Sequence, residues 1–228
     1  MTFFAALLDL VLPSRCIGCG AGFAALCARC RPNGPSLVVR RVPVPTVAAA
    51  VYADTVRAAL LAYKERGRRD LVTPLAELLT GAVAGVLDLP RAPPGRVLLV
   101  PVPSARSAAA ARGGDHVLRL ARRTAIRTGL RVAPSALALT RSPRDSAGLG
   151  VAERAVNLDH AMRARPPAAP ASALIVDDIV TTGATLGEAT RALTAAGWSV
   201  IGAAVVGATP RRSGSGSLVP LAAHGGPD

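Results

Sequence analysis

The stretch from Ala173 to Thr185, ALIVDDIVTTGAT, constrains the chain most, because it changes character three times in a short space. Ala173 to Val176 is a short apolar run with β-branched residues, the pattern of a strand buried on both faces in a parallel sheet. Asp177 and Asp178 are expected to end it. Adjacent carboxylates at the mouth of a buried strand repel each other and cost desolvation, so they imply a use: ribose hydroxyls, a divalent cation, or both. The small-residue loop Thr181, Thr182, Gly183, Ala184 and Thr185 leads into Leu186 to Ala196, which has helical spacing at Leu186, Ala189 and Leu193 and stops at Gly197. Backbone N–H groups and the positive dipole end at such a helix start suit a phosphate. Ser199 to Ala208 reads as a second buried strand, completing a βαβ unit whose ligands belong at the carboxyl ends of its strands. Carboxylates for a sugar diol beside a phosphate cradle describe a ribose 5-phosphate.

The four cysteines fall in two CxxC pairs, Cys16-Ile17-Gly18-Cys19 and Cys27-Ala28-Arg29-Cys30, with a short spacer between them. Two tight turns that each supply two thiolates match a pair of zinc knuckles, and Gly20 lets the chain bend behind the second sulfur. Arg15, Arg29 and Arg31 adjoin the ligands and would offset the negative charge of a tetrathiolate site. Two disulfides or a redox pair are the alternatives. With no signal peptide and no thioredoxin-like context, structural Zn²⁺ is the reading adopted here.

Other segments supply a frame and further candidates. Phe3, Leu7 and Val11 recur at helical spacing up to Pro13, predicting a short amphipathic helix packed on the body of the protein. Residues Pro32 to Pro45 read as a proline-rich linker with an extended segment, and Val47 to Tyr52 as a strand. Val56 to Asp70 starts helically and ends in a basic cluster where Lys64, the only lysine, lies near Tyr63, Arg66, Arg68 and Arg69. Leu71 to Leu87 is an apolar helix with Pro74 tolerated in its first turn. Arg96 to Val100 is another buried strand, opening into Pro101-Val102-Pro103-Ser104-Ala105-Arg106-Ser107, a loop able to hold a phosphate group through backbone N–H groups and a guanidinium. Ala108 to Gly114, with Arg112, has the small residues of a flap, and His116 to Ile126 is helical. Ser142 to Asn157 is polar and offers Arg144, Asp145, Arg154 and Asn157 as contacts. The histidines, His116, His160 and His224, form no motif and are read as surface or incidental. From Thr209 on, the Arg-, Ser-, Gly- and Pro-rich tail is predicted to be disordered.

The formal charge of +13 favours phosphates, nucleotides or nucleic acid as partners, and equally fits a solvated basic surface. Aromatic residues are only 3% of the chain, too few for a stacking platform that reads single strands. The segment MTFFAALLDLVLP has no positive n-region and is interrupted by Asp9, so no secretory signal is expected. No apolar run reads as long enough to span a bilayer, and the expected location is cytoplasmic.

VDDIVTTGAT resembles the phosphoribosyl-pyrophosphate (PRPP) loop of the type I phosphoribosyltransferases. Together with the paired CxxC motifs, YKERGRRDLVTPLAELL, VPVPSARS and ERAVNL, it makes residues 1–210 similar to the ComF family, zinc-ribbon phosphoribosyltransferase-like proteins named for a late competence protein linked to DNA uptake. The resemblance implies an α/β fold, a Rossmann-like, mostly parallel sheet flanked by helices over residues 46–210. A four-cysteine zinc module at 1–31, a linker at 32–45 and a disordered tail at 211–228 would accompany it. It further implies that Asp177 and Asp178 hold the ribose hydroxyls with Mg²⁺ bridging diol and pyrophosphate, and that Thr181, Thr182, Gly183, Ala184 and Thr185 cradle the 5-phosphate. Val102, Ser104 and Arg106 would contact the pyrophosphate, with Arg112 on the flap and Lys64 nearby. The implied reaction is phosphoribosyl transfer to a nitrogenous acceptor with release of pyrophosphate. The alternative is a non-catalytic sensor or adaptor that binds nucleic acid or a helicase partner. Two positions depart from the relatives: Thr181 stands where purine-salvage enzymes carry an aspartate, and no glutamine lies near Asp145 and Ser146.

Overall fold

Apolar runs that feed a parallel sheet need helices on both faces to cover them. The structure, a computed structural model, describes residues 15–34, 36–40, 42–89, 96–104, 114–140, 160–210 and 218–221. Seven strands form one sheet: β1 (Leu37–Val39), β2 (Thr46–Val51), β3 (Val97–Pro101), β4 (Arg131–Val132), β7 (Ser172–Val180), β8 (Ser199–Ala208) and β9 (Leu218–Pro220). Their order is β4-β3-β7-β8-β2-β1-β9. The five from β4 to β2 are mutually parallel, and β1 runs antiparallel between β2 and β9. A two-stranded ribbon of β5 (Leu137–Leu139) and β6 (Met162–Ala164) stands apart from the sheet.

Side chains alternate along each strand, so the sheet divides the core in two. Leu174 and Val176 of β7 face one cluster with Leu99, Val47 and Ala204. There they meet α1 (Asp54–Glu65), α2 (Val72–Leu87) and α3 (His116–Thr128) through Leu60, Leu75, Leu79 and Leu120. Ala173 and Ile175 face the other cluster, covered by Leu186, Ala189 and Leu193 of α4 (Ala184–Ala195) and by Met162 and Leu137 of the ribbon. Arg191 and Glu188 of α4 clamp β6: Met162 N–H donates to Glu188 Oε1 at 2.9 Å and Arg191 Nη2 donates to Met162 O at 3.0 Å.

Several expectations are revised. Asp177 and Asp178 do not end β7, which continues to Val180 because β8 still pairs with it, Asp177 opposite Val205 and Val180 opposite Ala208. The helix after the phosphate-type loop starts at Ala184, so Thr185 lies in its first turn. Within the predicted tail, Leu218–Pro220 adds β9 to the sheet edge and Leu221 N–H donates to Ser36 O at 2.7 Å. Arg69–Leu87, a 3₁₀ turn running into α2, is long and apolar enough to cross a membrane, which corrects the expectation that no run reaches that length. Half of that window is buried, with Leu71, Leu75, Leu79 and Val83 wholly enclosed. The predicted N-terminal helix at 3–11, the flap at 108–113 and the polar stretch at 142–157 lie outside the described residues.

Candidate functional site

The sheet has one topological switch point, and it falls between β3 and β7. From β3 the chain crosses by α3 to β4 on one side, and from β7 by α4 to β8 on the other. The loops leaving the carboxyl ends of the two strands therefore diverge and leave a crevice, the usual ligand position in open α/β sheets. Its floor follows from strand length. Pairing of β3 with β7 stops at Pro101 opposite Val176, followed by one further bond, Val102 N–H to Val176 O at 3.0 Å. Beyond this β7 is paired only with β8 as far as Val180, and the first two residues so uncovered on the β3 side are Asp177 and Asp178.

Both aspartates are nonetheless buried, at 7% and 6% exposure, and their carboxyl groups interact with each other. Asp178 points to the side of α1 and α3. His116 Nε2 lies 3.0 Å from its Oδ2, and Lys64 Nζ, at the end of α1, lies 3.4 Å from the same oxygen. Burial alone would raise the Asp178 pKa, but the His116 hydrogen bond and the Lys64 charge outweigh it and hold this carboxyl below the usual range. Among the described residues no ion pair reaches Asp177, and of the causes acting on it the Lys64 charge is the smallest. Asp177 Oδ1 accepts from Asp178 N–H at 2.8 Å, and burial, with the Asp178 charge next, pushes this carboxyl well above the usual range. The two neighbours are thus shifted in opposite directions, Asp178 toward the carboxylate and Asp177 toward the protonated form.

Two of the elements around Asp178 are tied together. Asp115 caps α3, its Oδ1 accepting from Val117 and Leu118 N–H at 2.9 and 3.1 Å, while its Oδ2 accepts from Ser104 N–H at 3.0 Å. His116 Nδ1 lies 3.3 Å from Ser104 Oγ. Tyr63 donates its hydroxyl to His116 O at 3.0 Å and sets its ring edgewise to the imidazole, centroids 6.3 Å apart. Burial pushes the Tyr63 phenol up to about 12 against the Arg119 charge, so it stays a donor. His116 is therefore not the incidental surface residue read from the sequence; it is buried at 4% exposure and lies at the centre of the site. A helix starting with Asp-His directly after the candidate flap, next in the chain after a candidate phosphate loop, was the available signal.

On the far side of β7 the turn to α4 passes through Gly183 at φ +89°, a left-handed conformation that disfavours any other residue. Thr182 Oγ1 accepts from Ala184 N–H at 3.3 Å, and the helix start points its dipole into the crevice. The loop after β3 differs from expectation. Val102 is buried and its N–H is taken by Val176, the Ser104 N–H is taken by Asp115, and Pro103 has none, so this part of the loop offers an anion the Ser104 hydroxyl rather than backbone donors. Arg106 and Arg112 lie outside the described residues. Asp177, Asp178, Lys64, Ser104 and the 181–185 turn are thus assembled around one crevice.

A second centre lies in the cysteine module. The sulfurs of Cys16, Cys19, Cys27 and Cys30 all fall within 4.8 Å of one another, with Cys19 Sγ to Cys27 Sγ at 3.7 Å. A tetrahedral Zn²⁺ with Zn–S bonds of about 2.3 Å separates its sulfurs by about 3.8 Å, so the cluster fits such an ion. Cys27 N–H donates to Cys16 Sγ at 3.4 Å. Backbone hydrogen bonds outweigh burial and lower Cys16 to about 6, while the neighbouring thiols, Cys19 first, raise Cys30 to about 12. Gly18 is needed on steric grounds, since a Cβ there would lie 2.8 Å from Cys30 Sγ. The module is seated on the domain: Ala25 and Leu26 join the core under α2, Arg31 Nη1 pairs with Glu77 Oε2 at 2.6 Å, and Arg68 Nη2 donates to Arg15 O at 3.0 Å. A cavity of about 430 Å³ beside it is lined by Leu37, Ala49, Ala50 and Val56 and is too apolar for a phosphate.

Residues 120–215 match the phosphoribosyl transferase domain family. The match spans most of α3 together with β7, α4 and β8, and so includes both aspartates and the phosphate-type turn; Lys64, Ser104, His116 and the cysteine module lie before it. The mostly parallel sheet flanked by helices agrees with that family. No curated protein matches the chain.

Proposed function

We propose that the protein binds PRPP with Mg²⁺ and transfers its phosphoribosyl group to a nitrogenous acceptor, releasing pyrophosphate. The observation that carries this reading is the meeting, in one switch-point crevice, of the buried Asp177–Asp178 pair and the Thr181–Thr185 turn at the start of α4. Diol acceptors near the end of β7 and an anion site in the turn that follows it then stand a few residues apart, as a ribose 5-phosphate requires. Asp177 and Asp178 take the 2- and 3-hydroxyls, and Thr181, Thr182, Gly183, Ala184 and Thr185 take the 5-phosphate. The Ser104 hydroxyl faces the pyrophosphate, joined by Arg106 and Arg112, while Val102 supports the loop from the core. The carboxylate oxygens suit a hard divalent cation, and Mg²⁺ bound there would neutralise charge on the diol site and the leaving pyrophosphate.

The chemistry asked of the side chains is electrostatic. As the bond between the anomeric carbon and pyrophosphate loosens, positive charge grows on the ribose and negative charge on the leaving group. The ionised Asp178 lies on the ribose side and Lys64 adds a cation close by, while the crevice walls keep water from competing with the acceptor. Thr181 supplies no carboxylate to take a proton from a purine, which weighs against purine acceptors. In the cysteine module, Cys16, Cys19, Cys27 and Cys30 would hold a structural Zn²⁺, since four thiolates leave no open position.

The second reading is a non-catalytic adaptor. It is favoured by the outer face of α3, where Arg122, Arg123 and Arg127 are exposed around Ile126, itself 75% exposed. Calorimetric titration of PRPP with Mg²⁺ into wild type and into Asp177→Asn/Asp178→Asn tests the two together. Binding by the wild type that is lost in the folded double variant is expected. A folded wild type that ignores PRPP, yet binds DNA with a steep salt dependence, would overturn the enzyme in favour of the adaptor.

A further inference from the structure

The Ser104–His116–Asp178 chain carries an inference that rests on the PRPP reading. His116 bridges two segments that are far apart in sequence: Nδ1 faces Ser104 Oγ at 3.3 Å on the loop after β3, and Nε2 faces Asp178 Oδ2 at 3.0 Å on β7. One neutral tautomer satisfies both contacts, with Nε2–H donating to the carboxylate and Nδ1 accepting from the hydroxyl. The ring has little freedom. It is buried, Tyr63 lies edgewise on it, and its backbone is pinned by the Tyr63 hydroxyl and by the Asp115 cap, whose other oxygen holds Ser104 N–H. The bridge spans the switch point itself, where no strand pairing links β3 to β7 beyond Val102.

We propose that His116 is a positioning residue that fixes the spacing between the Ser104 loop and Asp178, and so between the pyrophosphate and ribose ends of one ligand. A ligand that engages two subsites gains from the second only when both are held at its own length. PRPP spans the two subsites; inorganic pyrophosphate and ribose 5-phosphate each occupy one. Loss of the bridge therefore costs the whole ligand more than either half.

The test is calorimetric titration of all three ligands, with Mg²⁺, into wild type, His116→Ala and His116→Gln, with circular-dichroism melts to establish folding. The glutamine amide can donate to Asp178 in place of Nε2 but cannot also reach Ser104, and it is the milder change should alanine fail to fold. In both variants PRPP affinity is expected to fall about tenfold or more, while each half-ligand changes by less than about twofold. Equal losses for all three ligands would mean a general collapse of the site and would overturn the inference. So would unchanged PRPP affinity, or full recovery with glutamine, which would leave only a bond to Asp178. A wild type that binds none of the three overturns the PRPP reading itself, and the bridge with it.

Discussion

Asp177 and Asp178 are chemically identical neighbours that pull stability in opposite directions. Asp178, held below the usual range, contributes stability that is fully present above a pH of about 4 and is lost as pH falls through its lowered folded value. Asp177 is raised, so its carboxyl costs nothing when protonated, and the cost grows as pH climbs from about 4 through its raised folded value. Asp177→Asn keeps an oxygen for the Asp178 N–H and removes that cost, so at neutral pH its melting temperature should exceed that of the wild type. Asp178→Asn strips Lys64 and His116 of their anion and should lose on the order of 2 kcal/mol, short of a fully enclosed pair because Lys64 is about a third exposed. Thermal melts of both variants from acid to neutral pH check the signs, and a fall in the Asp177→Asn melting temperature at neutral pH would refute the assignment. The aspartates were legible because the change from apolar strand to paired acids to small-residue turn is local. His116 was not, because its partner lies 62 positions away and only the parallel pairing of β3 with β7 brings them together.

The cysteine module shows the same division at the level of an element. Its two CxxC turns were readable from spacing, while its docking on the domain was not, because Ala25, Leu26 and Arg31 follow no period that would announce a partner. Since Ala25 and Leu26 share a core with Leu75 and Leu79, the module and the domain should melt together. A chelator strong enough to remove Zn²⁺ is expected to release about one equivalent and to lower the melting temperature of the whole domain in one transition. An unchanged melt would point to disulfides instead. Gly18→Ala should have the same effect without chelator, because the added methyl meets Cys30 Sγ. The short strands were harder to read: β1 was legible only as an extended segment of the 32–45 linker, and β9, three residues in a Ser- and Gly-rich context that reads as tail, escaped.

At the scale of the molecule, the sheet order decides where chemistry can happen. The long central strands β7 and β8 were legible as apolar runs, and with them the helical cover; the order β4-β3-β7-β8-β2-β1-β9 was not, because nothing local encodes which strand lies beside which. That order brings the end of α1, the Ser104 loop, the start of α3 and the turn into α4 to one rim. Lys64 arrives there as the single lysine of the chain, with its ammonium 3.4 Å from Asp178 and its side chain about one-third exposed. For reagents that acylate primary amines, the protein therefore offers one ε-amino target, and it lies in the crevice. Labelling at that position becomes a footprint of occupancy, in which a ligand seated over Asp178 shields the amine and an empty crevice leaves it open to modification.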